Sequence, residues 1–323
     1  MSDLPETMKA VVFHGPKQIA VEDRPVPKRK ELHVFRGHQP SPTGFIMGHE
    51  FVGTVVQTGS EVTSVSLGDK VVAPFTVSCM ECFYCTHNSS SRCAQCLLGS
   101  PGPDAREAEY IDDRALILMA DIFPTGLFGA KSAFGLLEPQ QQPASDATVV
   151  VIGCGPVGLC AIVSALEYKP KHVFAVDSVP SRLELAKGLG AEPLNFLDGK
   201  DKMVQRVKEV TEGRGADAVI EVVGLSPALR TAFDLIRPFG VISSIGVHNA
   251  EIPWNGNEAY GKNVRVQMGR CPVRSMFPEA LAVLARNQDK FSFMFDKIMP
   301  LSEAVEGYDL FDQMKVQKVI FKP

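Results

Sequence analysis

The chain has 323 residues, of which 45% are hydrophobic and 22% charged, the make-up of a globular protein long enough for two domains. A net charge of −4 and a pI near 6.0 offer nothing to nucleic acid or an anionic membrane. Small molecules are therefore the expected ligands. Asp3, Pro5 and Glu6 stand where a signal peptide needs a basic start and an apolar run, which predicts an intracellular, cytoplasmic protein.

From the N-terminus, short apolar runs at residues 10–13, 51–56 and 71–73 alternate with Gly, Pro, Asp and Ser, the texture of a small, mostly β domain. Gly48-His49-Glu50 precedes the second run. Next comes C-x2-C-x2-C-x7-C at Cys79, Cys82, Cys85 and Cys93, whose four thiolates match a closed tetrahedral zinc site. Two disulfides would suit a small secreted domain, which this chain does not resemble. A zinc with four sulfur ligands has no open position, so this one would hold a loop and leave the chemistry to another place. Asp121 is a carboxylate in apolar sequence, costly to bury unless paired or bound to a cation. His49 and Asp121 are either separately packed residues or a pair for a second zinc, with Glu50 tuning it.

Residues 138–147, rich in Gln and Pro, lead into a different texture, with strands at 148–152, 172–176, 218–223, 241–245 and 264–268. Helical patterns at 157–168, 182–188 and 227–236 lie between them, and such alternation predicts a parallel sheet covered on both faces. Residues 147–166 are uncharged and long enough to cross a bilayer. Gly153, Gly155, Pro156 and Gly158 interrupt them, so the stretch reads as strand, turn and helix. Gly153-Cys154-Gly155-Pro156-Val157-Gly158 is a dinucleotide fingerprint in that context. Its glycines allow a tight turn, the approach of a pyrophosphate and close packing of helix on strand. Asp177, nineteen residues beyond Gly158, is placed to accept from ribose hydroxyls, which favours NAD over NADP. Arg182 could serve a 2′-phosphate but reads better as a solvated helix residue. After residue 270 a helix pattern at 278–285 and an apolar run at 319–321 are too short for a third domain.

In order, the cysteine lobe, Gly48-His49-Glu50, Gly68-Asp69-Lys70-Val71 and the glycine fingerprint resemble zinc-dependent medium-chain alcohol dehydrogenases nearly throughout. Asp121-Ile122-Phe123-Pro124-Thr125-Gly126 is most similar to the glutathione-independent formaldehyde dehydrogenase branch, in which an aspartate is a zinc ligand. The resemblance implies an α/β protein: a doubly wound Rossmann sheet plus an incomplete GroES-like, mostly β domain. It implies a catalytic GroES-like domain at 1–125 with the zinc lobe, an NAD-binding domain at 126–270, and a tail at 271–323 returning to the first. The substrate cleft would lie between the domains, and the assembly would be a homodimer or homotetramer. A catalytic zinc on His49 and Asp121 would polarise a small alcohol or aldehyde while hydride passes to or from NAD. His33 matches the family histidine that carries the released proton to solvent, and Lys318 is a candidate for a cofactor phosphate.

The chain also departs from that family. Lys28-Arg29-Lys30 occupies the place of the first catalytic cysteine, and lysine at neutral pH has no lone pair for a metal. No cysteine precedes Cys79. The stretches near residues 28 and 111 are too short for the barrel strands expected there, which points to missing segments. Cys96 is a conceivable replacement ligand but reads better as a small buried residue or free thiol. Two other functions stay open: an NAD-binding protein impaired in catalysis, and a zinc-free NADPH-dependent reductase, against which the cysteine lobe and Asp177 argue.

Overall fold

The computed structural model describes residues 7–25, 43–44, 46–60, 62–95 and 111–323. The chain divides into two compact units, one made of Met1–Asp121 with Pro272–Pro323, the other of Ile122–Cys271.

In the first unit β1 (Thr7–Gly15) and β2 (Gln18–Pro25) form an antiparallel hairpin, and Val12 bridges to Ile46. β3 (Phe51–Thr54) and β4 (Lys70–Ala73) form a second antiparallel pair. The short helices α1 (Phe83–Thr86) and α2 (Asp113–Leu116) follow, and Asp112 caps α2 by accepting from the Arg114 N–H. The apolar core of this unit includes Val11, Phe13, Met47 and Ala304, with Tyr308 and Phe321 against them. Burying such side chains contributes roughly 1.5–3 kcal/mol each.

The second unit opens with α3 (Ile122–Leu137), whose Gly126 and Gly129 leave no space for a Cβ beside α4 (Pro156–Leu166) and the sheet. The sheet strands are β5 (Thr148–Ile152), β6 (His172–Asp177), β7 (Glu192–Asn195), β8 (Ala216–Glu221), β9 (Ile236–Ser244) and β10 (Arg265–Met268). Connecting them are α4, α5 (Pro180–Leu189), α6 (Lys200–Val210), α7 (Ser226–Leu235) and α8 (Gly256–Lys262). All pairings are parallel in the order β10-β9-β8-β5-β6-β7, so the direction of winding reverses between β5 and β8. In sheets of this order ligands bind beyond the strand ends at that reversal. β5 is buried along its whole length, which explains why its sequence is a continuous apolar run without alternation.

β7 and α6 had no signal in the sequence reading. β7 carries Pro193 and no run of β-branched residues, and α6 is largely charged, with only Met203 and Val207 buried. Residues 147–166 are strand, turn and helix, as the glycines require. Among the described residues no single helix is long and apolar enough to cross a membrane. The first unit is completed by α9 (Val273–Ala285), β11 (Ile298–Pro300), α10 (Ala304–Asp312) and β12 (Ile320–Lys322), with β11 and β12 paired in parallel.

Candidate functional site

The four lobe cysteines converge, their sulfur atoms lying within 4.8 Å of one another. Cys82 Sγ and Cys93 Sγ are 4.0 Å apart, twice the length of a disulfide and close to the roughly 3.8 Å between sulfurs around a tetrahedral zinc. The loop is wound so that backbone N–H groups point at sulfur: Cys79 donates to Cys93, Cys82 to Cys79 and Ala94 to Cys82, at 3.3–3.4 Å. The N–H groups of Cys85 and Ala94 pull the Cys82 thiol down to about 6, while burial pushes Cys85 up to about 12. A cation that displaces the remaining protons suits this donor set, and zinc fits it.

Around His49 a second group forms within the first unit. His49 Nε2 lies 3.1 Å from Asp121 Oδ2 and 4.0 Å from Glu50 Oε1, and the three donor atoms fall within 4.8 Å. Asp121 ends the short 3-10 turn Ile117–Ala120, which is fixed by the Phe75 N–H donating to Ala120 O, and the Phe75 ring packs 5.8 Å from the His49 ring. Burial alone would lower the His49 pKa. The bond to Asp121 and the charges of Asp121 and Glu50 outweigh burial, so the imidazole titrates above its ordinary value. Such a pocket favours positive charge, whether a proton or a metal. On its far side Glu50 Oε2 accepts from Lys318 Nζ at 2.5 Å, the lysine side chain being 12% exposed.

The structure thus brings together His49, Glu50 and Asp121, three residues 72 positions apart at the extremes. Lys318, the candidate for a cofactor phosphate, pairs with Glu50. Distance along the chain, 268 positions, hid that pair from sequence reading. His33, Lys28-Arg29-Lys30 and Cys96 lie outside the described residues.

In the second unit the fingerprint occupies the turn from β5 to α4. Gly153 has φ +95°, where glycine is favoured, and a Cβ on Gly158 would fall 1.7 Å from Gly153 O. A Cβ on Gly155 would meet nothing within 4 Å, so open space faces the N-cap of α4, which has no side-chain cap. A helix start of this kind offers N–H groups to a phosphate. Pro156 and Val157 form its first turn.

Asp177 stands at the end of β6, and its carboxylate accepts from the N–H groups of Cys154 (2.8 Å), Ser178 (2.7 Å) and Val179 (2.9 Å). It ties the fingerprint turn to the neighbouring strand. Arg182 is not the solvated residue its helix pattern suggested: its side chain is 14% exposed, with the guanidinium 4.0 Å from Asp177. A residue the sequence did not single out, Glu221, is fully buried at the end of β8. It accepts from the N–H groups of Val223 and Gly224 and from Ser244 Oγ, each at 2.7 Å. These bonds fix the two loops after β8 and β9.

Residues 26–120 match the model of the alcohol dehydrogenase GroES-like domain, and residues 156–286 that of the zinc-binding dehydrogenase domain. Zinc-type alcohol dehydrogenase B of Aspergillus flavus is 58% identical over 98% of this chain and 81% of its own length. The medium chain reductase/dehydrogenase ucsI of an Acremonium species is 55% identical over 79% of this chain and 99% of its own. Among solved structures, the alcohol dehydrogenase TADH from Thermus sp. ATN1 superposes with a TM-score of 0.81 at 29% identity, over 98% of this chain and all of that one. The alignment with the Aspergillus flavus protein runs over 349 positions against a chain of 323 residues, so at least 26 positions of that relative have no counterpart here. A Rossmann-type parallel sheet, a GroES-like domain, two convergent donor clusters and these likenesses together place the chain in the zinc-dependent medium-chain alcohol dehydrogenase family of oxidoreductases.

Proposed function

We propose that this protein transfers hydride between NAD and a small alcohol or aldehyde at a divalent metal held by His49 and Asp121, with Glu50 beside it. The convergence of those three side chains carries the reading. The bound metal would polarise the substrate oxygen, and the nicotinamide would take or give the hydride. His49 Nε2 lies 3.1 Å from Asp121 Oδ2, so one ring nitrogen faces the two carboxylates, and a bound metal would take the place of the proton between them. Lys318 holds Glu50 toward the same point from the other side. The cysteine lobe, with zinc on Cys79, Cys82, Cys85 and Cys93, has a structural role. His33 is the candidate for passing the proton to solvent.

For the cofactor, Gly153, Gly155, Pro156, Val157 and Gly158 form the phosphate turn, and a carboxylate at Asp177 favours the ribose diol of NAD over a 2′-phosphate. Arg182 acts from behind Asp177, holding the carboxylate in place by charge. The catalytic domain is assigned to 1–125, the NAD-binding domain to 126–270 and the returning tail to 271–323, in a cytoplasmic homo-oligomer.

The test is NADH formation with short alcohols and with formaldehyde hydrate, in the presence of added divalent metal. Turnover is expected. Bound NAD with no turnover across the panel would favour a second reading, an NAD-binding protein impaired in catalysis, for which Lys28-Arg29-Lys30 in place of a cysteine ligand speaks.

A further inference from the structure

The family metal site is built around a thiolate, and this chain has none to give it from the expected direction. No cysteine precedes Cys79, and Cys79, Cys82, Cys85 and Cys93 are committed to one another in the lobe. Cys154, Cys160 and Cys271 are buried within the second unit, where the thiols of Cys154 and Cys271 face the carbonyl oxygens of Val176 and Pro124. Among the described residues the donors around His49 are one nitrogen and carboxylate oxygens, and Cys96 lies outside those residues. Ligands about 2.1 Å from a metal sit roughly 3.0–3.4 Å apart; His49 Nε2 and Asp121 Oδ2 are 3.1 Å apart, and Glu50 Oε1, 4.0 Å from Nε2, would have to close in by less than about 1 Å to join them. Glu50 presents Oε1 to this point while Lys318 takes Oε2, so the carboxylate can donate to a metal without breaking its ion pair.

We infer that the second metal centre of this chain is an oxygen-rich site without thiolate, in which Glu50 joins His49 and Asp121 as a ligand and the bound divalent cation is exchangeable. Softness decides the consequence. Thiolate selects zinc strongly, whereas carboxylate and imidazole donors also suit manganese and cobalt. The lobe zinc and the second metal therefore differ in kind: the first is retained through dialysis against a mild chelator, and the second is lost and replaced by whichever divalent ion is supplied. This inference deepens the function proposed above, since it names the ligands of the same centre, yet its test does not depend on turnover.

The experiment uses the full-length protein. Zinc is counted by mass spectrometry before and after chelation, and Co²⁺ is then titrated into the half-stripped protein while its absorption spectrum is followed. One retained zinc per chain is expected, with Co²⁺ giving weak visible bands and none of the intense near-ultraviolet absorption of a cobalt–thiolate bond. Glu50→Gln is expected to weaken Co²⁺ binding about tenfold or more and to change the shape of the visible bands. Unchanged band shape in that variant would show a carboxylate acting only through its charge and would overturn the ligand assignment. Strong thiolate absorption in the half-stripped protein would overturn the inference as a whole. If Cys96→Ser abolished that absorption, Cys96 would be the ligand in place of Glu50. Failure of the hydride-transfer assay alongside the expected spectra would count against the function and leave the metal centre standing.

Discussion

Gly158 has no alternative as a residue: the oxygen of Gly153 occupies the place where any side chain would begin. Backbone cannot retreat as a side chain can, so Gly158→Ala should cost about 1–3 kcal/mol or more and shift the helix start away from the turn. Thermal unfolding and NAD titration on the same variant check both effects, and a protein with unchanged melting temperature and NAD affinity would contradict the close approach. Glu221 makes a different case, a buried carboxylate with three donors. Glu221→Ala strands those donors without solvent and should cost about 3 kcal/mol, measured by urea unfolding. Glu221→Gln keeps one acceptor oxygen and should lose less. The glycine spacing was legible because turn chemistry is local. Glu221 was not, because its partners come from β9 and from a backbone turn that composition does not reveal.

At the scale of elements, α8 begins with a capping box in which the Asn255 side chain accepts from the Glu258 N–H and Glu258 accepts from the Asn255 N–H. Glu258 also receives Arg230, whose hydrogen bond is the main reason its carboxyl titrates below 4.5. In the unfolded chain the carboxyl takes its proton near the ordinary value, in the folded protein at a lower pH. The contribution of the pair is therefore present above 4.5 and fades as pH falls through the lowered folded value. Urea midpoints measured from neutral pH down to about pH 3 should fall less steeply for Glu258→Gln than for the parent chain, since that variant has no proton to gain there. The cysteine lobe is the other element with a sharp expectation. With zinc held there as proposed, its removal by a strong chelator should release amides of residues 79–94 to fast deuterium exchange, while those of β5 keep their protection. Strands and helices with one apolar character, such as β5 and α4, were readable from their residues. β7, with four partly exposed residues and a proline, is a strand only because β6 lies beside it.

Across the whole molecule, the two donor clusters differ in how they are encoded. The lobe is written into fifteen consecutive residues and was visible as spacing alone. The His49 cluster draws on residues 49, 50, 121 and 318, so only folding assembles it. The residues alone left the pairing of His49 with Asp121 as one of two readings and resemblance to a family favoured it, while the chain's own departures, chiefly the absence of a cysteine before Cys79, raised the question of what replaces the thiolate.

The first unit is made from both termini of the chain, with the second unit inserted between its parts. On the ribosome, Ile122–Cys271 emerges as an uninterrupted stretch and can close its sheet while the remainder is still being made. The first unit has to wait for α10, β12 and Lys318, which follow the second unit along the chain. A chain cut before Lys318 would still hold the whole of the second unit, but Glu50 would be deprived of its lysine and the hairpin core would lack Phe321.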